Sequence, residues 1–465
     1  MPSARDAFPS VTVDLSAPRR VHVVGVGGPG MSAVAVLLAG RGHIVTGSDM
    51  VDSPVLGRLR TEGVRAEPGH DPRRVAGADY VVFSTAVPAD NVELEEAARA
   101  GIPVVHRSDV LRAITGTVNA VGVAGTHGKT TSSALLVTML RGAGLDPGFY
   151  VGAEMLDLRT GARTGGDGTL VIEADESDGT AEALVLGALL LTNIDTDHLD
   201  LFVDDDGVDR GFGRIVSGVA RDVVVCGDDA RALEVVRGAG KPAVTYGFGA
   251  HNDAVVSRPF HGDRGITFTV SFRGAEHRVA LPLRGDHNAL NCAGALVMAV
   301  LLGADPSRAA SSVAGFGGVE RRFQERGAHR GAVLVDDYAH LPAEIEAAIA
   351  AARTHPSLTG RLLAVFQPNR YHRVASMAGE YAHCFSGADA VFVTDIYASG
   401  TERIDGVTGL MVADAVRGSH PNVVWAATRG ELVDAVGAVL SAGDLCISMG
   451  CGDISTFPDD LRAGA

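Results

Sequence analysis

The sequence predicts an α/β protein of three domains, on the basis of three observations. Apolar strand-like runs alternate with helix-like segments along the chain, which is the pattern of parallel sheets covered by helices. A length of 465 residues suits about three domains of ~150 residues each. Two glycine-rich loops, at residues 25–30 and 125–131, each follow an apolar strand and open a helix. We therefore expect a parallel sheet in every domain.

Residues 1–113 are predicted to form a Rossmann-like domain. The stretch RRVHVVGVGGPGMSAVAVLLAGRGHIVTGSD indicates a strand at 21–26, a glycine turn, a helix at 31–40 and a strand at 44–47. The turn contains G-x-G-x-x-G, and Asp49 follows about twenty residues further on. Such a loop places backbone amides and a helix N-terminus against a diphosphate, and the aspartate would hold a ribose hydroxyl. The loop predicts a diphosphate-bearing nucleotide and leaves NAD open.

Residues 114–320 are predicted to form a P-loop, ATPase-like domain. The strand TVNAVGVA leads into GTHGKTT and then into a helix, but the usual G-x-x-x-x-G-K-[ST] pattern would need a glycine where Val123 stands. The shorter loop keeps the groups that grip phosphate, because its backbone amides, the Lys129 ammonium and the Thr130 hydroxyl, a possible Mg²⁺ ligand, all remain. Only two of the 40 basic residues are lysines, Lys129 and Lys241, which favours a specific need for an ammonium in the loop.

Residues 321–465 are predicted to form a second Rossmann-like domain. Helix-like segments separate the strand-like runs VLVDDYAH, RLLAVFQPN, AVFVTDIY and LCISMGCGD. The two aspartates of the first run, Asp336 and Asp337, end a strand. Because ligands of open α/β sheets bind beyond the carboxyl ends of strands, polar residues at this end are candidates for a binding site.

The composition excludes several classes of partner. The formal net charge of −16 repels nucleic acid and anionic membranes, so we expect neither as a partner. No apolar run reaches the ~18–20 residues that span a bilayer, and the first residues, MPSARDAFPSVTVDLSAPRR, lack the apolar segment of a signal peptide. A cytoplasmic protein without membrane insertion is therefore expected. Five scattered cysteines without C-x-x-C predict neither a disulfide framework nor a structural zinc site.

Nine stretches of the chain, taken together, resemble the Mur ligase family. They occur in the family's order and cover essentially the whole length: GVGGPGMSA, GTHGKTTS, EADESDG, TNIDTDHLD, GDHNALNCAGAL, FGGVERRFQERG, DDYAHLPAEI, FQPNRYHR and DIYASGTERIDGVTG. No single stretch is decisive. GVGGPGMS and RRFQ resemble the family member that acts on UDP-N-acetylmuramate and L-alanine rather than the later ligases of the same pathway.

The resemblance implies an ATP-dependent amide ligase of peptidoglycan precursor synthesis. A substrate carboxylate attacks the γ-phosphate to give an acyl phosphate, and the amine of the second substrate then displaces phosphate. The cofactors implied are ATP and Mg²⁺, and the substrates are UDP-N-acetylmuramate and L-alanine. By this resemblance the first domain binds the UDP end, the second binds MgATP, and the third closes on ATP and the amino acid. We expect a monomer or a weak homodimer.

The resemblance also implies which residues serve ATP and metal. Lys129, Glu173 and His198 are the expected catalytic residues, and Thr130, Glu173 and His198 are the expected metal ligands. A cation between the triphosphate and the substrate carboxylate would offset the repulsion between these two anions. The expected ATP-binding residues are Gly125, Thr126, His127, Gly128, Lys129, Thr130, Thr131, Asn288, Asn291, Arg322 and Asp336.

The remaining implied residues bind the other substrates. They are Gly25, Gly27, Gly28, Gly30, Asp49, Thr85, His340 and Arg370. Arg370 suits the carboxylate of L-alanine, since a guanidinium pairs well with a carboxylate. The resemblance also implies that one or both of Arg321 and Arg322 contact phosphate groups during domain closure.

Four positions depart from the family pattern, and three alternatives stay open. The departures are Pro29 in the first glycine loop, Leu341 after His340, Asn369 before Arg370, and Cys451 in GCGD. Those in the third domain bear on the amino-acid pocket. The alternatives are a related ligase that adds a peptide or another amino acid, an NAD-dependent protein with a fused P-loop ATPase, and a non-catalytic nucleotide-binding regulator.

Overall fold

A computed structural model describes residues 8, 11–176, 179–195 and 205–463. These residues form two compact units. Unit one holds the described residues of Met1–Ser257, Thr269–Val279 and Leu290–Gly317, and unit two holds those of Arg258–Phe268, Ala280–Ala289 and Gly318–Ala465. Within the described ranges, no helix is both long enough and apolar enough to cross a membrane.

Unit one begins with a five-stranded sheet. Its strands are β1 (Arg20–Val24), β2 (Ile44–Asp49), β3 (Arg65–Pro68), β4 (Tyr80–Phe83) and β5 (Val104–His106). Its helices are α1 (Pro29–Gly40), α2 (Pro54–Thr61), α3 (Val92–Arg99) and α4 (Arg107–Thr115). The strands pair in the order β3-β2-β1-β4-β5, all parallel. The chain runs outward from β1 on one side and from β4 on the other, so the loop after β1 lies at the point where open α/β sheets bind ligands.

The central sheet has eleven strands. They are β6 (Asn119–Ala124), β7 (Gly148–Met155), β8 (Thr160–Arg163), β9 (Thr169–Glu173), β10 (Ala188–Leu191), β11 (Asp222–Cys226), β12 (Val244–Gly247), β13 (Ala254–Val256), β14 (Phe260–Gly262), β15 (Gly265–Phe272) and β16 (Ala275–Leu281). The order is β14-β15-β13-β12-β11-β10-β6-β9-β7-β8, with β16 beside β15. Strands from β7 through β9, β6, β10, β11 and β12 to β13 are parallel neighbours. The helices are α5 (Lys129–Gly142), α6 (Thr180–Ala183), α7 (Asp205–Ser217), α8 (Ala230–Gly238), α9 (Asp286–Leu301) and α10 (Pro306–Ser312).

Unit two contains a six-stranded sheet in its C-terminal part. Its strands are β17 (Gln324–His329), β18 (Ala332–Asp337), β19 (Leu362–Phe366), β20 (Ala390–Thr394), β21 (Val423–Ala426) and β22 (Leu445–Met449). They pair in the order β17-β18-β22-β19-β20-β21, and only the β17–β18 pair is antiparallel. The helices are α11 (Pro342–Arg353), α12 (Tyr371–Met377), α13 (Leu410–Arg417), α14 (Arg429–Val439) and α15 (Phe457–Ala463).

The predicted α/β class is confirmed, with two differences of detail. Central strands such as β10, β19 and β22 are buried along their full length, which explains their continuous apolar runs. Antiparallel strands are added at sheet edges, where short hairpins need no crossover helix. β1 ends before residue 26 because the amides of Gly25 and Val26 both donate to the carbonyl of Ser48. The domain boundaries at 113/114 and 320/321 stay a prediction.

Candidate functional site

The shortened P-loop joins β6 to α5 and requires glycine at two positions. Gly125 and Gly128 have φ of 133° and 80°, a region that side-chain-bearing residues rarely adopt. A Cβ on Gly125 would overlap the Thr192 hydroxyl, and a Cβ on Gly128 would overlap the Asn291 side chain. The loop therefore fits tightly between the end of β10 and the first turns of α9, and the predicted residue Asn291 lies directly beside it.

Residues that follow β10 hold the loop in place. The backbone amide of His127 donates to Asn193 Oδ1 at 2.8 Å, and Asn193 Nδ2 donates back to the His127 carbonyl at 3.0 Å. Thr192 Oγ1 donates to the same carbonyl at 2.7 Å. The Asp195 amide donates to Thr126 Oγ1 at 2.8 Å. The segment TNID thus positions the loop, and Thr192 and Asn193 are site residues that were not predicted from the sequence.

Lys129 is the first residue of α5, and its ammonium is fully hydrogen-bonded. Nζ donates to the carbonyl oxygens of Gly125 at 2.6 Å and Thr126 at 3.2 Å. It also pairs with both carboxylate oxygens of Glu176, at 2.9 and 3.0 Å. Both side chains are largely excluded from solvent, with 11% of the Lys129 side chain and 4% of the Glu176 side chain exposed. Sequence reasoning missed Glu176, although it quoted the stretch EADESDG that contains this residue.

Electrostatics keep the lysine charged. Burial disfavours an ammonium, but the carboxylates of Glu176, Asp175 and Glu173 outweigh burial and raise the pKa of Lys129 above its ordinary value. Burial raises the pKa of Glu176, and the neighbouring Lys129 ammonium opposes that rise by favouring the carboxylate. The loop therefore offers a permanent positive charge, which is the property needed to bind phosphate.

Thr130 and Glu173 form an all-oxygen pair at the end of β9. Thr130 Oγ1 donates to Glu173 Oε1 at 3.1 Å, and the other carboxylate oxygen accepts from the Gly152 amide at 2.8 Å. β9 pairs in parallel with β6, which brings Glu173 beside the loop. Hydroxyl and carboxylate oxygens suit Mg²⁺, which usually takes one or two protein ligands and completes its shell with phosphates and water.

The third predicted metal ligand, His198, lies outside the described residues. Within the described part of the chain no three histidine, cysteine or acidic side chains cluster as a metal site. That finding is compatible with a Mg²⁺ site of one or two protein ligands, because the phosphates would supply the others. The role of the predicted ligands therefore stays a prediction.

The first glycine loop is closed by its own aspartate. The amide of Gly27 donates to Asp49 Oδ2 at 2.8 Å, so the carboxylate predicted to hold a ribose also shapes the loop. Gly28 is the N-cap of α1, and its amide donates to the carbonyl of Gly25 at 3.2 Å. Thr85 is exposed in the segment after β4, the neighbour of β1. The predicted residues of this loop therefore lie at the carboxyl ends of the parallel strands β1, β2 and β4.

Two residues that sequence reasoning missed approach the N-terminus of α1. A Cβ on Gly30 would overlap the Arg107 guanidinium, so the third glycine makes room for a cation. Tyr150 Oη donates to the Gly30 carbonyl at 3.3 Å. Pro29, the departure from the family pattern, occupies the first turn of α1, where a missing N–H costs no helical hydrogen bond.

In unit two, Asp336 and Asp337 end β18 as predicted, and each has defined partners. Arg321 Nε donates to Asp336 Oδ2 at 3.1 Å, while Asp336 Oδ1 is buried without a hydrogen bond to any described residue. Asp337 accepts from the amides of Phe323 and Ala339, each at 2.7 Å. Burial raises the pKa of Asp337 to about 6. An orphaned buried oxygen on Asp336 suits a ligand hydroxyl, which fits the ATP-binding role predicted for this residue.

The ring of Tyr338 contacts Arg321 and Arg322, the two arginines identified from the sequence. The guanidinium carbons of Arg321 and Arg322 lie 5.2 and 5.0 Å from the centre of its ring. His340 meets the same ring edge-on at 5.5 Å between ring centres, and its Nδ1 lies 3.1 Å from Glu344 Oε2. This cluster follows the end of β18, where a substrate-binding role was predicted for His340.

The other predicted residues of unit two lie in structured turns. Arg370 has a φ of 61° and caps the N-terminus of α12, beside Asn369, whose Oδ1 accepts from Arg373 at 2.9 Å. Leu341 is buried and caps α11. Asn288 donates from Nδ2 to the Arg284 carbonyl at 2.7 Å.

These features define a class of protein. A parallel sheet carries a short P-loop with a charged lysine, an adjacent hydroxyl–carboxylate pair suits Mg²⁺, and a second glycine loop opens a helix on a separate sheet. The fold and site are those of an α/β enzyme with a P-loop and a second glycine-rich loop that opens a helix.

The comparisons with known proteins give the family. Residues 20–118 match the Mur ligase family, catalytic domain; residues 123–299 match the Mur ligase middle domain; and residues 321–452 match the Mur ligase, glutamate ligase domain. The chain belongs to the Mur ligase family. The three-domain α/β class predicted from the sequence is thereby confirmed.

Full-length relatives carry one shared name. The UDP-N-acetylmuramate–L-alanine ligase of Rubrobacter xylanophilus is 40% identical over 96% of this chain and 99% of its own. The protein of the same name from Clavibacter michiganensis is 38% identical over 96% of this chain and 94% of its own. The solved structure of the UDP-N-acetylmuramate–alanine ligase from Thermotoga maritima is 25% identical, with a TM-score of 0.79 over 96% of this chain and 99% of that one.

Proposed function

We propose that this chain is an ATP-dependent ligase that joins L-alanine to UDP-N-acetylmuramate in the synthesis of peptidoglycan precursors. The observation that carries the proposal is its full-length similarity to ligases of that name. The charged Lys129 in a P-loop supports the use of ATP. The NAD-dependent and regulatory alternatives would leave the Lys129, Thr130 and Glu173 arrangement without a purpose.

The first chemical step is phosphoryl transfer to the muramate carboxylate. A carboxylate oxygen forms a bond to the γ-phosphorus, the bond to the β-phosphate oxygen breaks, and ADP leaves. Lys129 places its positive charge at the loop that cradles the phosphates, where it stabilises the charge of the transition state. Thr130 and Glu173 would hold Mg²⁺, which neutralises the repulsion between the two anions when bound.

The second step forms the amide. The uncharged amine of L-alanine attacks the carbonyl carbon of the acyl phosphate, the amine proton is lost, and inorganic phosphate leaves with the bonding electrons. Arg370 and His340 are proposed to bind the amino acid, and Arg322 to contact phosphate. His198 is proposed as a further metal ligand on the resemblance alone.

The domain limits, the substrate of each domain, the cellular location and the oligomeric state are also proposals. The three domains are proposed to divide at residues 113/114 and 320/321, with UDP-N-acetylmuramate on the first, MgATP on the second, and L-alanine on the third. The glycine loop before α1 supports the first assignment, since backbone amides and a helix N-terminus favour a diphosphate. We place the enzyme in the cytoplasm and expect a monomer or weak homodimer.

One assay tests the proposed function. Phosphate release is measured with ATP, UDP-N-acetylmuramate and, in turn, L-alanine, glycine, L-serine and a stem peptide. We expect turnover only when ATP, the nucleotide sugar and an amino acid are all present, with L-alanine preferred. Fast ATP hydrolysis without either substrate, or NADH consumption, would contradict the ligase assignment. A preference for the peptide would favour the related peptide-adding ligase.

A further inference from the structure

The hydrogen-bonding capacity of Lys129 is fully used by acceptors of the protein itself. An ammonium has three N–H donors. Two are directed to the carbonyl oxygens of Gly125 and Thr126, and the remaining direction is shared by the two oxygens of Glu176. The two carbonyls belong to the loop itself and stay available when phosphate enters. Glu176 is the partner that a phosphate oxygen would have to replace.

We propose that Glu176 is a positioning residue that competes with the nucleotide phosphates for Lys129. Glu176 holds the ammonium against the loop, and on nucleotide binding Lys129 exchanges this carboxylate for a phosphate oxygen. The inference rests on the proposed function only in taking ATP as the ligand of the loop. It assigns a role to a residue of EADESD that neither its charge nor its motif indicates.

Two properties of the pair support an exchange rather than a permanent bridge. Both partners are nearly excluded from solvent, so water does not supply a substitute for either one, and phosphate is the anion that the loop amides are arranged to receive. The competing contact is a two-oxygen, charge-assisted one, which makes it strong enough to affect nucleotide affinity. When the competent state is populated only in part, apparent affinity falls by that fraction.

The exchange predicts a specific pattern of nucleotide affinities. Glu176→Gln keeps the shape of the side chain and removes its charge, so it should tighten binding of β,γ-methylene-ATP with Mg²⁺ by roughly three- to tenfold. Affinity for AMP should stay unchanged, because AMP has no β- or γ-phosphate to reach Lys129. A residue that only supported the fold would weaken both nucleotides or neither.

Three further variants separate exchange from simple charge repulsion. Glu176→Asp keeps the charge and retracts the carboxylate, so it should give a smaller gain in the same direction, and it carries the test if the Gln variant does not fold. Asp175→Asn is the matched control, because Asp175 affects Lys129 through its charge without bonding to Nζ. In a Lys129→Met background, Glu176→Gln should give no gain.

Binding is measured by calorimetry on the full chain without UDP-N-acetylmuramate or L-alanine. Equal gains from Asp175→Asn and Glu176→Gln, a gain that persists in the Lys129→Met background, or weaker binding by Glu176→Gln would each overturn the exchange. Unchanged affinity in both Glu176 variants would also overturn it while leaving the proposed function intact. If wild-type protein fails to bind β,γ-methylene-ATP, the proposed function fails and the exchange with it.

Discussion

Replacing Lys129 by methionine tests the loop most directly, because the change removes the charge and keeps the aliphatic stem. In phosphoryl transfer the ammonium stabilises charge moving onto the γ-phosphate, and loss of one such preorganised group typically costs about 10²–10³ in rate. We therefore expect turnover to fall by that factor, while UDP-N-acetylmuramate still binds. Single-turnover phosphate release measures the loss.

The structure also sets the expected effect of this change on stability. Exposed ion pairs contribute about 0–1 kcal/mol, whereas breaking a buried pair by removing one partner costs about 3–5 kcal/mol. With only 11% of the Lys129 side chain and 4% of the Glu176 side chain exposed, the pair belongs to the second group. Lys129→Met should therefore lower the free energy of unfolding by about 3 kcal/mol or more, since it leaves Glu176 buried without its cation.

A double-mutant cycle distinguishes the pair from two independent residues. Adding Glu176→Gln to Lys129→Met removes the buried carboxyl group that the first change leaves without its partner, so the double variant should lose clearly less stability than the two single losses combined, by about 2 kcal/mol. Lys241→Met is the matched control. The Nζ of Lys241, the other lysine of the chain, donates to the Val219 carbonyl at 2.6 Å, and its loss should cost about 1 kcal/mol without changing the rate.

The result that would refute this reasoning is specific. Near-normal turnover in Lys129→Met would show that the loop does not grip the γ-phosphate, and the P-loop assignment would be wrong. Additive stability losses in urea denaturation would show that Lys129 and Glu176 do not act as a pair. A rate loss as large in Lys241→Met would indicate a general requirement for positive charge instead of a local one.

Three further predictions concern neighbouring features. Glu173→Ala should lower turnover by about 10²-fold and be partly rescued by raised Mg²⁺, because weakened coordination is offset by mass action; a rate titrated against Mg²⁺ that resembles wild type would argue against a metal ligand. Gly128→Ala should weaken ATP binding and lower the melting temperature, since φ is 80° and the new methyl meets Asn291; Asn291→Ala in the same chain should relieve only the steric part. Burial raises the pKa of Asp337 from 3.8 to about 6, so the stabilising contribution of this residue is present at low pH and is lost as pH rises from about 4 to about 6. Relative to Asp337→Asn, the free energy of unfolding of the wild type should fall by about 3 kcal/mol across that window, and parallel stability curves for the two proteins would contradict this.

Most of the fold could be predicted because its signals are local. Apolar runs of four to six residues became the buried central strands, and the glycine loops fell between a strand and a helix as expected. Pairing partners are not local, so the antiparallel edge strands and the order of the eleven-stranded sheet were not anticipated. The end of β1 was also misjudged by two residues, because the bonds from Gly25 and Val26 to Ser48 join segments far apart in sequence.

In the candidate site too, residues marked by a local motif could be predicted, whereas residues placed by long-range packing could not. Lys129, Thr130 and Glu173 could be named from motifs, and the structure brings all three together. Glu176 could not be singled out, because EADESD offers several carboxylates and only the path of the chain after β9 decides which one reaches the lysine. Arg107 was missed for a similar reason: its approach to Gly30 depends on how α4 packs against α1.

The absence of glycine at position 123 has a physical explanation in the central sheet. Val123 belongs to β6, is fully buried, and lies opposite Glu173 in the pairing with β9, so the strand continues to the point where a longer loop would already have begun. A shorter loop has fewer backbone groups that can form hydrogen bonds within the loop. Thr192 and Asn193, placed at the loop by the parallel pairing of β10 with β6, supply hydrogen bonds to His127 in compensation. The strand neighbours on the two sides of β6 thus have separate roles, since β9 carries the carboxylate suited to Mg²⁺ and the residues after β10 fix the loop that we propose to receive the phosphates.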